Sequence, residues 1–250
     1  MKVRERPSPN FNDRAAGVAV DTLVLHYTGM PTAEGALERL VDPRAEVSAH
    51  YFIDEEGTVL RLVPETRRAW HAGKSSWCGV GDINSRSIGI ELVNPGHDFG
   101  YRPFSEPQIV ALEELAGEIL SRHRIPARRI LGHSDIAPDR KRDPGEMFPW
   151  ARLAEAGIGL YPESWQDKAP LPGDRDLSPL AVAEIALLYI GYEVEITGIA
   201  NPRTSAVIAA FQRHFVPDRV TGVLDEATSV RLNTVAKLVA LDRGDPWADF

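Results

Sequence analysis

His26 closes the apolar run LVLHYTG, His133 ends RILGH, and ten residues beyond His133 stands Asp143, in a loop rich in Pro and Gly. Two imidazoles and one carboxylate form a three-donor set that suits zinc and leaves a fourth position open for water. The same spacing also fits two structural histidines at strand ends and a plain Asp-Pro-Gly turn. Glu91 lies in SIGIEL, where a carboxylate is costly to bury unless it is paired or used. It reads either as an edge-strand residue facing solvent or as a general base whose pKa is raised by its apolar surround.

The scaffold that must position these residues is an alternating one. TLVLHYT (22–28), AHYFID (49–54), TVLRLV (58–63), SIGIELV (87–93) and RRILGH (128–133) are short, apolar and rich in β-formers, and the second and third form a hairpin around Glu55-Glu56-Gly57. Thr32–Val41 and Ser105–His123 have helical periodicity, the latter opened by a capping box of Ser105 with Gln108 and stopped before Pro126. Together they predict an α/β domain with a mixed central sheet flanked by helices. After a Pro-rich stretch, GIANPRTS (198–205) and GVLDEATS (222–229) repeat one pattern, with Asn201 and Asp225 as N-caps. With the apolar segment 180–190 they predict a small all-α, three-helix domain. The expected division is an N-terminal extension 1–20, a catalytic domain 21–160, a linker 161–177, the three-helix domain 178–240 and a tail 241–250.

Composition narrows the function classes. The 250 residues carry 36 acidic and 28 basic side chains, a net charge of -8, which disfavours nucleic acid as a partner. A lone Cys78 excludes an intramolecular disulfide and any zinc site built from paired cysteines. No run approaches the 18 apolar residues of a membrane span, so membrane insertion is not expected. The start, MKVRERPSPNFNDRAAG, has no secretory core, which predicts a cytoplasmic protein, with the periplasm or cell envelope as the alternative.

LVLHYTG, SAHYFID, RLVPETRRAWHAG, INSRSIGIELVNPG and above all GHSDIAPDRKRDPGEMFPW resemble the zinc-dependent N-acetylmuramoyl-L-alanine amidases of the type-2 fold, over about 21–160. The resemblance implies one Zn2+ per chain on His26, His133 and Asp143, with Glu91 as the catalytic glutamate. It implies a catalytic role for Lys141, two residues before the aspartate, in holding the charge that develops on the carbonyl oxygen. His50 and His71 match segments that line the family's cleft, and each is expected either to touch substrate or to brace a loop. Asn84 and Asn94 are expected to hydrogen-bond the stem peptide or sugar, and Trp70 either to wall the sugar or to sit in the core; Arg67, Arg68, Arg86 and Arg102 read either as partners for carboxylates of the peptide or, for most of them, as ordinary surface charge. His97, His123 and His214 are expected to be structural or solvent-facing. LLYIGYEV, TSAVIAAFQRHF and TGVLDEATSVRL resemble the three-helix peptidoglycan-binding module of wall hydrolases.

The expected activity is hydrolysis of the amide between N-acetylmuramic acid, or its 1,6-anhydro form, and L-alanine. The alternative is a peptidoglycan recognition protein that binds without cleaving. The expected partner is peptidoglycan, as fragments or polymer, met by a monomer. A wall-binding module suggests contact with polymer outside the cytoplasm, against the missing signal. Removing 175–250 is expected to weaken attachment to the wall and to spare hydrolysis of soluble fragments.

Overall fold

The computed structural model describes residues 2–162 and 176–245, so most of the expected linker (163–175) and the end of the expected tail (246–250) lie outside the described residues. The strands are β1 (Val3–Glu5), β2 (Phe11–Asp13), β3 (Thr22–Tyr27), β4 (Tyr51–Ile53), β5 (Val59–Arg61), β6 (Arg67–Ala69), β7 (Ser87–Leu92) and β8 (Ile130–Gly132). The helices are α1 (Ala33–Val41), α2 (Ile83–Arg86), α3 (Gly96–Phe99), α4 (Glu106–Arg122), α5 (His133–Ile136), α6 (Trp150–Glu155), α7 (Pro179–Ile190), α8 (Pro202–Phe215) and α9 (Glu226–Arg243). Six strands form one mixed sheet in the order β1-β5-β4-β7-β3-β8, and β2 pairs with β6 apart from it. β4 and β5 are the expected antiparallel hairpin, while β4, β7, β3 and β8 run parallel.

Alternation along the central strands separates packing from chemistry. Leu23 and Leu25 of β3 and Ile88, Ile90 and Leu92 of β7 join one core with Ile109, Leu112, Leu115 and Ile119 of α4. The other face of the same strands carries Val24 and His26, and Ser87, Gly89 and Glu91. Ser105 caps α4 as expected, accepting from the Gln108 backbone N–H. The Gln108 side chain does not close the box. Its amide instead donates to the carbonyls of Ile53 (3.1 Å) and Val93 (3.0 Å), pinning the helix to two strands.

Residues 1–20 are not a detached extension. β1 adds to the sheet edge beside β5, and the Arg14 side chain donates to the carbonyls of Glu65, Asn84, Ser85 and Ser87 at 2.9–3.1 Å. Burial lowers its pKa to about 10.

The repeat in the C-terminal unit has a structural basis. Asn201 and Asp225 accept from Thr204 and Thr228 at 2.9 and 2.8 Å, the expected N-caps. In each case a buried polar side chain of the preceding helix grips the Thr-Gly turn ahead of the cap: Glu184 accepts from the N–H groups of Thr197 and Gly198, and Gln212 from those of Thr221 and Gly222. α9 runs through Arg243 and ends on Gly244 in the left-handed region, so the expected tail begins inside a helix.

The two units share a core. Val24, Trp77, Ile83, Leu131 and Ile136 of the first pack with Leu187, Tyr192, Val207, Phe211, Phe215, Leu232 and Val235 of the second. The apolar faces of α7 to α9 are therefore not reserved for one another, as an independent three-helix domain would require.

Candidate metal centre and active site

Three neighbouring parallel strands deliver the chemistry at one end of the sheet. His26 lies near the end of β3, Glu91 is its direct neighbour in register on β7, and His133 follows β8 at the start of α5. The crevice beyond the carboxyl ends of parallel strands is where open α/β sheets place ligands. Asp143 comes back to the same point on the loop after α5, held by its carbonyl, which accepts from the Ser134 N–H at 2.9 Å.

The donor atoms converge. His26 Nδ1 lies 2.9 Å from His133 Nδ1, and Asp143 Oδ2 lies 3.0 Å from each. All three residues are buried. The far side of each ring fixes its tautomer. His133 Nε2 faces the Ala72 carbonyl at 3.1 Å and so carries the proton. Ser87 donates to the Ile83 carbonyl (2.7 Å), accepts from His71 Nε2 (3.1 Å), and leaves His71 Nδ1 to accept from His26 Nε2 (3.0 Å). Both Nδ1 atoms therefore present lone pairs. Two lone pairs and a carboxylate oxygen aimed at one point repel one another unless a cation lies between them. Their spacing approaches the roughly 3.3 Å that separates N/O ligands 2.0–2.1 Å from a tetrahedral ion, so the residues fit a metal.

Electrostatics agree with that role. Burial, then the charge of His133, lowers the His26 pKa to about 4, which keeps it a neutral ligand near pH 7. Burial opposes ionisation of Asp143, but positive charge on the imidazoles beside it, His133 first, holds its pKa well below the carboxylate range, so the carboxylate is poised for a cationic neighbour.

Glu91 is not on an edge. β7 is central and the carboxyl is buried, with Oε2 lacking any hydrogen-bond partner among the described residues. Burial first, then the charge of Asp143, pushes its pKa well above the usual value, with Lys141 working the other way. A cleft of about 330 Å3 opens above these groups, lined by His71, Glu91, His133, Lys141 and Asp143 together with Tyr27, Met30, Arg39, Arg140 and Arg142.

Of the five expected substrate contacts, His71 alone lines this cleft. His50 is fully buried behind it, accepting from the Gly89 N–H and donating to the Arg67 carbonyl, and burial lowers its pKa to about 3. Asn84 spends its carbonyl oxygen on the N–H groups of His71 and Ala72. Asn94 bonds Gly96 and Arg102. The Trp70 indole donates to Asn12, away from the cleft. Arg67, Arg68, Arg86 and Arg102 pair with Asp13, Asp82, Asp21 and Glu55 outside the cleft; Arg39, Arg140 and Arg142 stand in it instead. Of the histidines expected to be structural, His97 and His123 face Glu146 and Glu65, and His214 faces Asp135.

Gly89 makes room for the histidine relay. A Cβ there would meet the His71 ring at 2.5–2.7 Å. Gly89→Ala is expected to cost roughly 1–3 kcal/mol in stability, the range for overpacking a filled core, and to displace His71 from His26. A thermal melt and a zinc titration check it.

A sequence profile of N-acetylmuramoyl-L-alanine amidases matches residues 16–146. The chain belongs to this family. A second profile, of a peptidoglycan binding domain, matches residues 179–232 of the amidase. The amidase is 37% identical to N-acetylmuramoyl-L-alanine amidase AmiD of Escherichia coli over 86% of its own length and 82% of AmiD. It superposes on a solved complex of AmiD from E. coli with anhydro-N-acetylmuramic acid-L-Ala-D-gamma-Glu-L-Lys at a TM-score of 0.77 and 32% identity, covering 94% of this chain and 99% of that one. 1,6-anhydro-N-acetylmuramyl-L-alanine amidase AmpD of Haemophilus influenzae is 34% identical but aligns with only 60% of this chain while 89% of its own length is covered.

Proposed function

We propose that this chain is a zinc-dependent hydrolase of the amide between N-acetylmuramic acid, in its ordinary or 1,6-anhydro form, and the L-alanine of the stem peptide. The observation that carries the reading is the convergence of three acceptor atoms on one point, with the unpartnered oxygen of Glu91 beside them in the cleft. His26, His133 and Asp143 would hold the ion. When bound, zinc supplies an acidified water, with a pKa near 7 instead of 15.7, and a positive charge for the substrate carbonyl.

The chain's own residues do the rest. Glu91 accepts the proton of the attacking water and returns it to the departing alanine nitrogen, a task suited to a carboxylate made more basic than usual by its burial. Lys141 carries an ammonium in the same cleft that balances charge growing on the carbonyl oxygen. Arg39 adds a cation along the cleft that can meet stem-peptide carboxylates. A protein that only recognises peptidoglycan has no need of the donor set and the buried base together, so the catalytic reading is preferred. Peptidoglycan fragments are the partner this reading implies, and the 179–232 unit supports contact with larger pieces of the wall.

Chelation is expected to abolish release of peptide from a soluble anhydromuramoyl peptide, and added zinc to restore it. Undiminished cleavage by metal-free protein overturns the reading.

A further inference from the structure

The shared core reaches close to the metal donors. Val24 lies two residues before His26 on the same face of β3, and Leu131 lies two before His133; both pack among residues of the C-terminal unit. At the centre of that contact is a fully enclosed carboxylate, Asp135, two residues beyond His133. Its Oδ2 accepts from the Gly132 N–H at 2.7 Å, closing the turn that carries His133. The remaining two partners come from the C-terminal unit: the Tyr192 hydroxyl donates to Oδ1 at 2.7 Å, and His214 Nδ1 donates to Oδ2 at 2.8 Å. His214 is stacked on Trp150 with ring centres 3.8 Å apart, and Trp150 packs at Gly132 beside Pro144, the neighbour of Asp143.

We infer that Tyr192 and His214 are positioning residues of the metal centre, acting through Asp135 to hold the turn of His133 in register with Asp143. The C-terminal unit is then a working part of the amidase and not solely an anchor. A carboxylate that loses one of two buried side-chain donors must find another or be displaced, and Gly132 and His133 move with it. The inference rests on the proposed function only in taking His26, His133 and Asp143 as metal ligands.

The test is zinc affinity of the full-length apoprotein, measured by competition with a chromophoric chelator, so that its outcome does not depend on which substrate the enzyme prefers. Tyr192→Phe and His214→Leu are each expected to weaken zinc binding roughly tenfold, the low end for groups that orient metal ligands. They are also expected to lower kcat on a soluble muropeptide with KM unchanged. His214→Asn, which keeps a donor near the position of Nδ1, is expected to recover most of the affinity. Phe211→Leu loosens the same shared core without touching Asp135, and is expected to lower the Tm yet bind zinc as the parent does. Parental affinity in Tyr192→Phe and His214→Leu overturns the inference. So do equal affinities in the two His214 variants, or an equal loss in Phe211→Leu at matched Tm.

Discussion

Glu91→Gln is expected to fold, to bind one zinc with parental affinity, and to lose about 10²–10⁴ in kcat, the usual contribution of a general acid–base group. At 1.36 kcal/mol per decade the loss is about 3–5 kcal/mol of transition-state stabilisation. The direction follows from the geometry. Gln keeps the volume and the register neighbour His26, so the donor triangle is undisturbed, but an amide cannot take a proton from water at neutral pH. The variant even removes an unfavourable feature, an ionisable carboxyl in a buried site, so its Tm is expected to equal or exceed that of the parent. Single-turnover cleavage of a soluble muropeptide with metal content measured in parallel checks this. A rate within threefold of the parent at full zinc loading removes Glu91 from the proton-transfer role.

The second large effect concerns truncation. Removing residues 163–250 is expected to yield a polypeptide that aggregates or melts without cooperativity, and not a free-standing amidase. Val24, Trp77, Ile83, Leu131 and Ile136 are almost wholly buried, and they lose their cover together. At about 1.5–3 kcal/mol for each large apolar side chain returned to water, the loss is on the order of 10 kcal/mol, comparable to the whole stability of an ordinary domain. Asp135 would at the same time be left with the Gly132 N–H alone among its present partners. Solubility, a circular dichroism melt and zinc binding by the 1–162 fragment decide the matter. A soluble fragment that melts cooperatively and binds zinc like the full chain would show that the two units are only neighbours. Sequence reasoning expected such a fragment to keep its activity on soluble substrates; the shared core reverses that expectation.

His26, Glu91, His133 and Asp143 are legible through the family motifs that hold them, above all GHSDIAPDRKRDPGEMFPW; their types and spacing alone also fit structural histidines, an edge-strand glutamate and a plain turn. His50, Asn84, Asn94 and Trp70, which lie outside the cleft lining, are harder to place from sequence for the opposite reason. Polar residues near a site motif look alike in sequence whether they touch substrate or satisfy a neighbouring backbone, and here buried N–H and C=O groups claim three of them. β1, β2 and β6, reading VRE, FND and RRA, have no apolar alternation, because they are three-residue pieces, and β1 and β2 expose two of their three side chains each. Arg14 gave no signal at all, since its partners are carbonyls 51 to 73 residues away. The apolar faces of α7 to α9 were evident, but periodicity reports only that a face is covered, not by what.

The ladder pairing of His26 with Glu91 carries a consequence for how such a site can change. In a parallel sheet a slip of one residue turns the side chain to the opposite face, and a slip of two moves it about 6.6 Å along the strand. The distance from base to ligand is thus quantised. Substitution and loop insertion can reshape the walls by degrees and so alter what fits, while the spacing that performs the cleavage admits no intermediate values. Diversification is graded at the rim and all-or-none at the centre.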